Sequence, residues 1–81
     1  MKLKVLTPIF AEAASKLVNT TSKYPETILL KKDHWVIDAK SLLGVLAIAL
    51  QPGQVVEFST ETDAEELIAE LKDLGLFEKA E

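Results

Sequence analysis

The chain has 81 residues, which fits one domain spanning 1–81, and 48% of its residues are hydrophobic, which is enough to form a core. It contains no cysteine, so disulfides, thiolate metal sites and cysteine nucleophiles are excluded. The net charge is −4 and all nine basic residues are lysines, which argues against binding to nucleic acid or to anionic membranes.

The longest apolar run, residues 42–50, is too short to span a bilayer, and the N-terminal sequence lacks the apolar region of a secretory signal. We therefore expect a cytoplasmic protein. The single histidine has no second histidine to share a metal, and no carboxylate pair is indicated as an acid–base site. These observations predict a protein that is not an enzyme and that needs no cofactor or metal.

The first elements in chain order are a strand and a helix. Apolar and polar residues alternate over Lys2–Thr7, as in a half-buried strand. Thr7 is a candidate N-cap, Pro8 suits the first helical position, and apolar residues at helical spacing carry the helix to Ser22. Pro25 prevents the helix from continuing.

A β-hairpin is predicted next. The strands Thr27–Lys31 and Trp35–Asp38 flank a short polar segment. Asp33 and His34 are expected in its tight turn, since both residue types tolerate positive φ. Trp35 is expected to pack on the sheet.

The second half of the chain predicts a helix, a strand and a final helix. Ser41 is a natural N-cap for the apolar helix 42–50, and Gln54–Ser59 reads as the fourth strand. Thr62 and Glu65 form a capping-box pattern before the last helix. The apolar stripe of that helix consists of Leu67, Ile68, Leu71 and Leu74.

After this stripe, Gly75 suits a left-handed C-cap, with Leu76 and Phe77 able to fold back on the helix. The complete order is βαββαβα. It predicts an α+β domain with a four-stranded antiparallel sheet and three helices packed on one face.

Two strings in this arrangement resemble the histidine-containing phosphocarrier (HPr) family of the bacterial sugar phosphotransferase system. KSLLGVL, Lys40–Leu46, is similar to the family's lysine–serine–aliphatic–aliphatic–glycine–valine–aliphatic string. LVNTTSKY, Leu17–Tyr24, is similar to the end of the family's first helix, and the spacing between the two strings also fits. The resemblance covers essentially the whole chain and implies the HPr-like open-faced β-sandwich.

The resemblance also implies where the reactive residues of the family would lie. The family uses a histidine just before the first helix, followed two positions on by arginine and then by proline. In register with this chain, these positions hold Phe10, Glu12 and Ala13. Phenylalanine has no lone pair for phosphoryl transfer, and Glu12 places a negative charge where a phosphate would lie.

These departures favour a family member that has lost phosphohistidine transfer and acts as a protein-binding or regulatory module. His34 is expected in a hairpin turn, outside the first helix. Two alternatives stay open: a helix start that never held a site, and a working phosphotransfer component despite the substitutions. The expected partner is a protein, of the phosphotransferase system or of a regulatory kind.

Two further sites follow from the resemblance. Ser41 matches a serine that a regulatory kinase phosphorylates in some family members, although a plain N-cap also explains it. An exposed apolar face that binds partner proteins is implied for Phe10, Leu43 and Leu46. We expect Leu42 to lie mostly in the core.

Overall fold

The sheet and the helices account for most of the chain. The computed structural model describes residues 1–61 and 64–80. In chain order the elements are β1 (Lys2–Val5), α1 (Glu12–Thr21), β2 (Ile28–Lys32), β3 (Trp35–Asp38), α2 (Leu42–Ile48), β4 (Val55–Thr60), α3 (Glu65–Asp73) and β5 (Phe77–Lys79). Thr62, part of the predicted capping box, lies outside the described residues.

The five strands form one antiparallel sheet in the order β3-β2-β4-β1-β5. Alternate strand residues are buried, so Leu3 pairs with Val56 and Leu30 pairs with Phe58 on the core face. Lys2 and Glu57 pair on the opposite, exposed face. The predicted two-layer α+β architecture is therefore confirmed, with one strand more than expected.

The additional strand is β5, where Phe77 pairs with Val5 at the edge of the sheet. The Phe77 ring meets the Phe58 ring edge-on, with 5.4 Å between centroids. Gly75 has φ of 78°, as expected for a left-handed residue after a helix. Phe77 is buried in the same core cluster as Leu67 and Leu71 of α3, in line with its predicted return to the helix stripe, and its backbone also completes the sheet beside β1.

The first helix begins at Glu12, four residues later than Pro8, and Thr7 does not cap it. The chain before it is held by hydrogen bonds to other segments. The Leu6 N–H donates to the Leu76 carbonyl at 2.9 Å, and the Ile9 N–H donates to the Leu50 carbonyl at 3.0 Å. The bond from Ile9 holds this segment against the residue that follows α2, outside the helix. Strand β1 ends at Val5, two residues earlier than predicted, and the bond from Leu6 lies next to its last pair with β5.

The second helix is also shorter than predicted. It ends at Ile48, because Ala49 adopts a left-handed conformation with φ of 50°. Val45 is fully buried against the sheet, whereas Leu42 is 41% exposed, so the expectation that Leu42 lies in the core was wrong. The helix has only seven residues, and its two buried positions, Val45 and Ile48, fix the face that it turns inward.

Candidate functional site

Phe10 lies in the irregular segment just before α1. Its side chain is 70% exposed, whereas that of the adjacent Ile9 is 1% exposed. Ala11 follows with φ of 51° and ψ of −117°, a conformation that L-residues other than glycine rarely adopt. The buried Ile9 and the irregular backbone at Ala11 therefore fix the chain on both sides of an aromatic ring that faces solvent.

The start of α1 lies beside the end of α2. The hydrogen bond from Ile9 to Leu50 joins the two segments, and α2 is only about 10 Å long. On α2, Leu43 is 81% exposed and Leu42 is 41% exposed. We call the exposed side chains of Phe10, Leu42 and Leu43 the Phe10–Leu43 surface.

Leu46 was expected on this surface, but it is partly buried and packs against the hydrophobic core. The predicted exposures are therefore reversed: Leu42 is exposed, and Leu46 is partly buried. Both are leucines on one short helix, so composition does not distinguish them. Their exposure depends on how α2 is rotated against α1 and β3.

Glu12 is the first residue of α1, and its side chain is 84% exposed. Its carboxylate lies 3.4 Å from the Lys16 ammonium one turn later. A carboxylate in a first helical turn stabilises the helix through the helix dipole. The same charge repels an anion at this helix start.

Ser41 caps α2 as predicted. Its side-chain Oγ accepts a hydrogen bond from the Gly44 N–H at 3.1 Å. The neighbouring Lys40 ammonium donates to the Tyr24 carbonyl oxygen at 2.5 Å. Ser41 is partly buried and lies next to Leu42 and Leu43 of the Phe10–Leu43 surface. Its observed role is to cap α2.

His34 and Asp33 form the two-residue turn between β2 and β3, and Asp33 has φ of 53°, as predicted for a tight turn. His34 is exposed, and no hydrogen bond or ion pair within residues 1–61 and 64–80 connects it to α1. The Lys32 ammonium donates to the Ile48 carbonyl at 3.4 Å, so this turn and the end of α2 share one end of the molecule. Trp35, which was expected to pack on the sheet, is 55% exposed on the edge strand β3.

A polar cluster that the sequence did not indicate joins the end of α1 to α3. Glu70 accepts hydrogen bonds from the Tyr24 hydroxyl at 2.5 Å and from the Lys23 ammonium at 2.7 Å. The bond to Glu70 raises the pKa of Tyr24 to about 12, and the bonds from Lys23 and Tyr24 lower the pKa of Glu70. The partners are 46 and 47 residues apart in sequence, so no local pattern could have identified them.

A second tertiary contact of this kind involves Thr21, which is fully buried in the last turn of α1. Its hydroxyl donates to the Ala39 carbonyl oxygen at 2.8 Å. This bond attaches α1 to the segment that leads into Ser41. Threonine in an amphipathic helix gives no signal for such a contact, and the sequence interpretation missed it.

Within the described ranges, no three histidine, cysteine, aspartate or glutamate side chains cluster closely enough to hold a metal ion. No helix in the same ranges has the length and apolar character needed to cross a membrane.

Comparison with known proteins identifies the family. A family model described as the PTS HPr component phosphorylation site matches residues 6–75. The HPr-like protein Crh of Halalkalibacterium halodurans is 26% identical over 66 residues, which cover 82% of this chain and 79% of that protein. The phosphocarrier protein HPr of Neisseria meningitidis is 29% identical over 76 residues, which cover 90% and 85%.

The fold agrees with solved structures. A crystal structure of HPr-C-His from Thermoanaerobacter tengcongensis has a TM-score of 0.79 and 34% sequence identity, covering 91% of this chain and 86% of that chain. HPr and Crh proteins are phosphocarrier or regulatory proteins rather than enzymes. Since the family model spans most of the 81 residues, the chain belongs to the HPr family of the phosphotransferase system.

Proposed function

We propose that this HPr-family protein does not carry phosphohistidine and acts in the cytoplasm as a protein-binding module. The observation that carries the proposal is the exposed ring of Phe10 at the position where the family resemblance expects the reactive histidine. Phosphoryl transfer from phosphoenolpyruvate to such a site requires an imidazole nitrogen with a free lone pair. The benzyl side chain has no such atom.

The charge at the start of α1 supports the same conclusion. A phosphate at this helix start would be favoured by the backbone N–H groups and the dipole. Glu12 opposes it with an exposed carboxylate in the first turn. Because both the nucleophile and the favourable charge are missing, restoring only one of them would leave the site incomplete.

The Phe10–Leu43 surface supports a binding role. Phe10 and Leu43 are 70% and 81% exposed, although both are large and apolar. Exposed apolar side chains that cluster on one part of a small domain are typical of protein interaction sites. HPr proteins work with other proteins of the phosphotransferase system, and we infer a partner of that system or a regulatory protein.

A pull-down from extract of the native organism tests this role. We expect the wild type to retain a specific protein that Leu43→Asp loses, because a charge at the centre of an apolar contact is not compensated. Val36→Asp is the matched control, since Val36 is 58% exposed but lies on β3, outside the surface. A partner retained equally by both variants would contradict the proposal.

Ser41 supports a second candidate function, a regulatory switch controlled by serine phosphorylation. The hydroxyl lies at the start of α2, next to the exposed Leu42 and Leu43. Transfer of the terminal phosphoryl group of ATP to Oγ would release ADP and the hydroxyl proton. The phosphate would then add about two negative charges beside an apolar binding surface.

Intact mass distinguishes the two functions. The protein is incubated with ATP and the cognate kinase, in parallel with Ser41→Ala and with Ser15→Ala as a control for an exposed serine. A single added phosphate that disappears only in Ser41→Ala supports the switch. An unchanged mass in the presence of an active kinase eliminates it and leaves constitutive binding.

A further inference from the structure

A cavity of about 380 Å³ lies on the opposite side of the domain from α2, between α3 and the β1–β5 edge of the sheet. Its apolar lining is provided by Met1, Leu3, Ile68 and Ala69. Leu3 belongs to the core, whereas Ala69 is exposed on α3. The volume falls within the range of small-molecule sites in proteins, about 300–1,000 Å³.

Two lysine side chains contribute positive charge to the part of the lining that the structure describes. Lys72 on α3 and Lys79 on β5 line the cavity together with one carboxylate, Glu65, whereas the Lys2 side chain lies on the opposite face of the sheet, beside Glu57. Among the described residues, neither of the two ammonium groups has a carboxylate within 4.0 Å. The cavity therefore places two cations beside an apolar wall, on a chain whose net charge is −4.

From this combination we propose that the cavity binds a small soluble amphipathic carboxylate, such as a medium-chain fatty acid. The apolar tail would contact Leu3, Ile68 and Ala69, and the carboxylate would lie between the ammonium groups of Lys72 and Lys79. A polyhydroxylated ligand fits less well, because much of the wall offers no hydrogen-bonding partner.

The charges around the cavity predict opposite effects on affinity when a lysine or the glutamate is neutralised. Lys72→Gln and Lys79→Gln each remove one cation, and we expect each to weaken binding about two- to fivefold, as for a partly exposed ion pair. Glu65→Gln removes the opposing carboxylate and is expected to strengthen binding by a similar factor. Lys16→Gln on α1 is the matched control and should leave affinity unchanged.

Octanoate is the probe, added to the isotope-labelled full chain and followed by two-dimensional NMR. We expect saturable shift changes at the backbone amides of Leu3, Ile68, Ala69 and Lys72. Ala69→Glu should abolish these changes while the spectrum stays folded, since Ala69 is exposed and its replacement places a carboxylate in the cavity. Octanol and acetate, which supply only the tail or only the charge, should bind much more weakly.

Three results with the soluble probes would overturn the proposal. They are the absence of saturable shifts at the cavity, equal binding of octanol and octanoate, and equal affinity in Lys72→Gln and Lys16→Gln. Binding to vesicles of anionic phospholipid without binding to soluble octanoate would also contradict it, because the ligand would then be a membrane surface. The site is separate from the Phe10–Leu43 surface, so its failure leaves the proposed function unaffected.

Discussion

The backbone N–H of Ile9 donates a 3.0 Å hydrogen bond to the carbonyl oxygen of Leu50, and this bond joins the start of α1 to the end of α2. It has two consequences for the site. The buried Ile9 side chain anchors the segment in the core, and the next residue, Phe10, is left in solvent beside the short helix that exposes Leu43. Phe10 therefore lies near the end of α2 and Leu43 at its start, and the helix between them is only about 10 Å long.

The two neighbours should respond differently to truncation. Ile9→Ala removes a side chain that is 1% exposed, and we expect it to lower the free energy of unfolding by about 2–5 kcal/mol. Phe10→Ala should change it by no more than about 0.5 kcal/mol, because the ring is 70% exposed. Urea denaturation of both variants measures this difference. Similar losses would mean that Phe10 belongs to the core.

Ser41→Ala should lower the free energy of unfolding by about 1 kcal/mol, because the Gly44 N–H loses its side-chain acceptor. Ser41→Asp should recover most of that loss, since aspartate is an equally good N-cap and its charge suits the helix start. Ser15→Ala, in an exposed position of α1, should have little effect. A Ser41→Ala variant as stable as the wild type would show that the cap contributes nothing.

The Tyr24–Glu70 contact predicts an unusual phenol titration. Tyr24 is the only tyrosine, so tyrosinate absorbance reports on it alone, and we expect a pKa near 12. Because this value lies above the ordinary 10.0, the stability that the phenol provides is complete below pH 10 and is lost as the pH rises through 12. Glu70→Gln should return the pKa towards 10.0, and an unchanged midpoint in that variant would refute the contact.

The same contact makes a prediction at acidic pH. The pKa of Glu70 is lowered by hydrogen bonds from Lys23 and then Tyr24, so its stabilising effect is present above the ordinary value of 4.5. This effect is lost as the pH falls below that value. The difference in stability between the wild type and Glu70→Gln should therefore shrink on acidification, as thermal unfolding across this range would show. A constant difference would argue against it.

The proposed loss of phosphoryl transfer predicts a gain in a double variant. Phe10→His supplies an imidazole nitrogen, and Glu12→Arg replaces the repulsive carboxylate by a cation. We expect the double variant to accept more acid-labile phosphate from phosphoenolpyruvate and the general phosphotransferase enzyme than Phe10→His alone. A folded double variant that accepts none would show that other features of this chain disable the site.

The parts of the fold that local sequence determines were predictable. Alternation indicated β1, β2 and β4, and the Ser41 cap follows from one hydroxyl and the backbone N–H three residues later. Strand β5 has only three residues, too few to display a period, and forms because Phe77 pairs with Val5 and packs on Phe58. Its formation depends on tertiary contacts that no window of sequence contains.

The candidate site also has some features that the sequence predicted and others that depend on tertiary contacts. The exposure of Leu43 was predicted, and the presence of Phe10 and Glu12 at the helix start is a matter of sequence alone. The late start of α1 depends on the Ile9 bond to a residue 41 positions away, and helix propensity could not reveal it. The sequence likewise could not show that Leu42 is exposed and Leu46 partly buried, because this depends on how α2 is rotated against α1 and β3.

Phosphorylation of the wild type is the most direct test of the central claim. The protein is incubated with labelled phosphoenolpyruvate and the general phosphotransferase enzyme, beside an active phosphocarrier HPr and a His34→Ala variant. We predict acid-labile label on the active HPr and none on this chain. Stoichiometric acid-labile phosphate on the wild type that is lost in His34→Ala would contradict the account, because the hairpin histidine would then supply the nucleophile that Phe10 lacks.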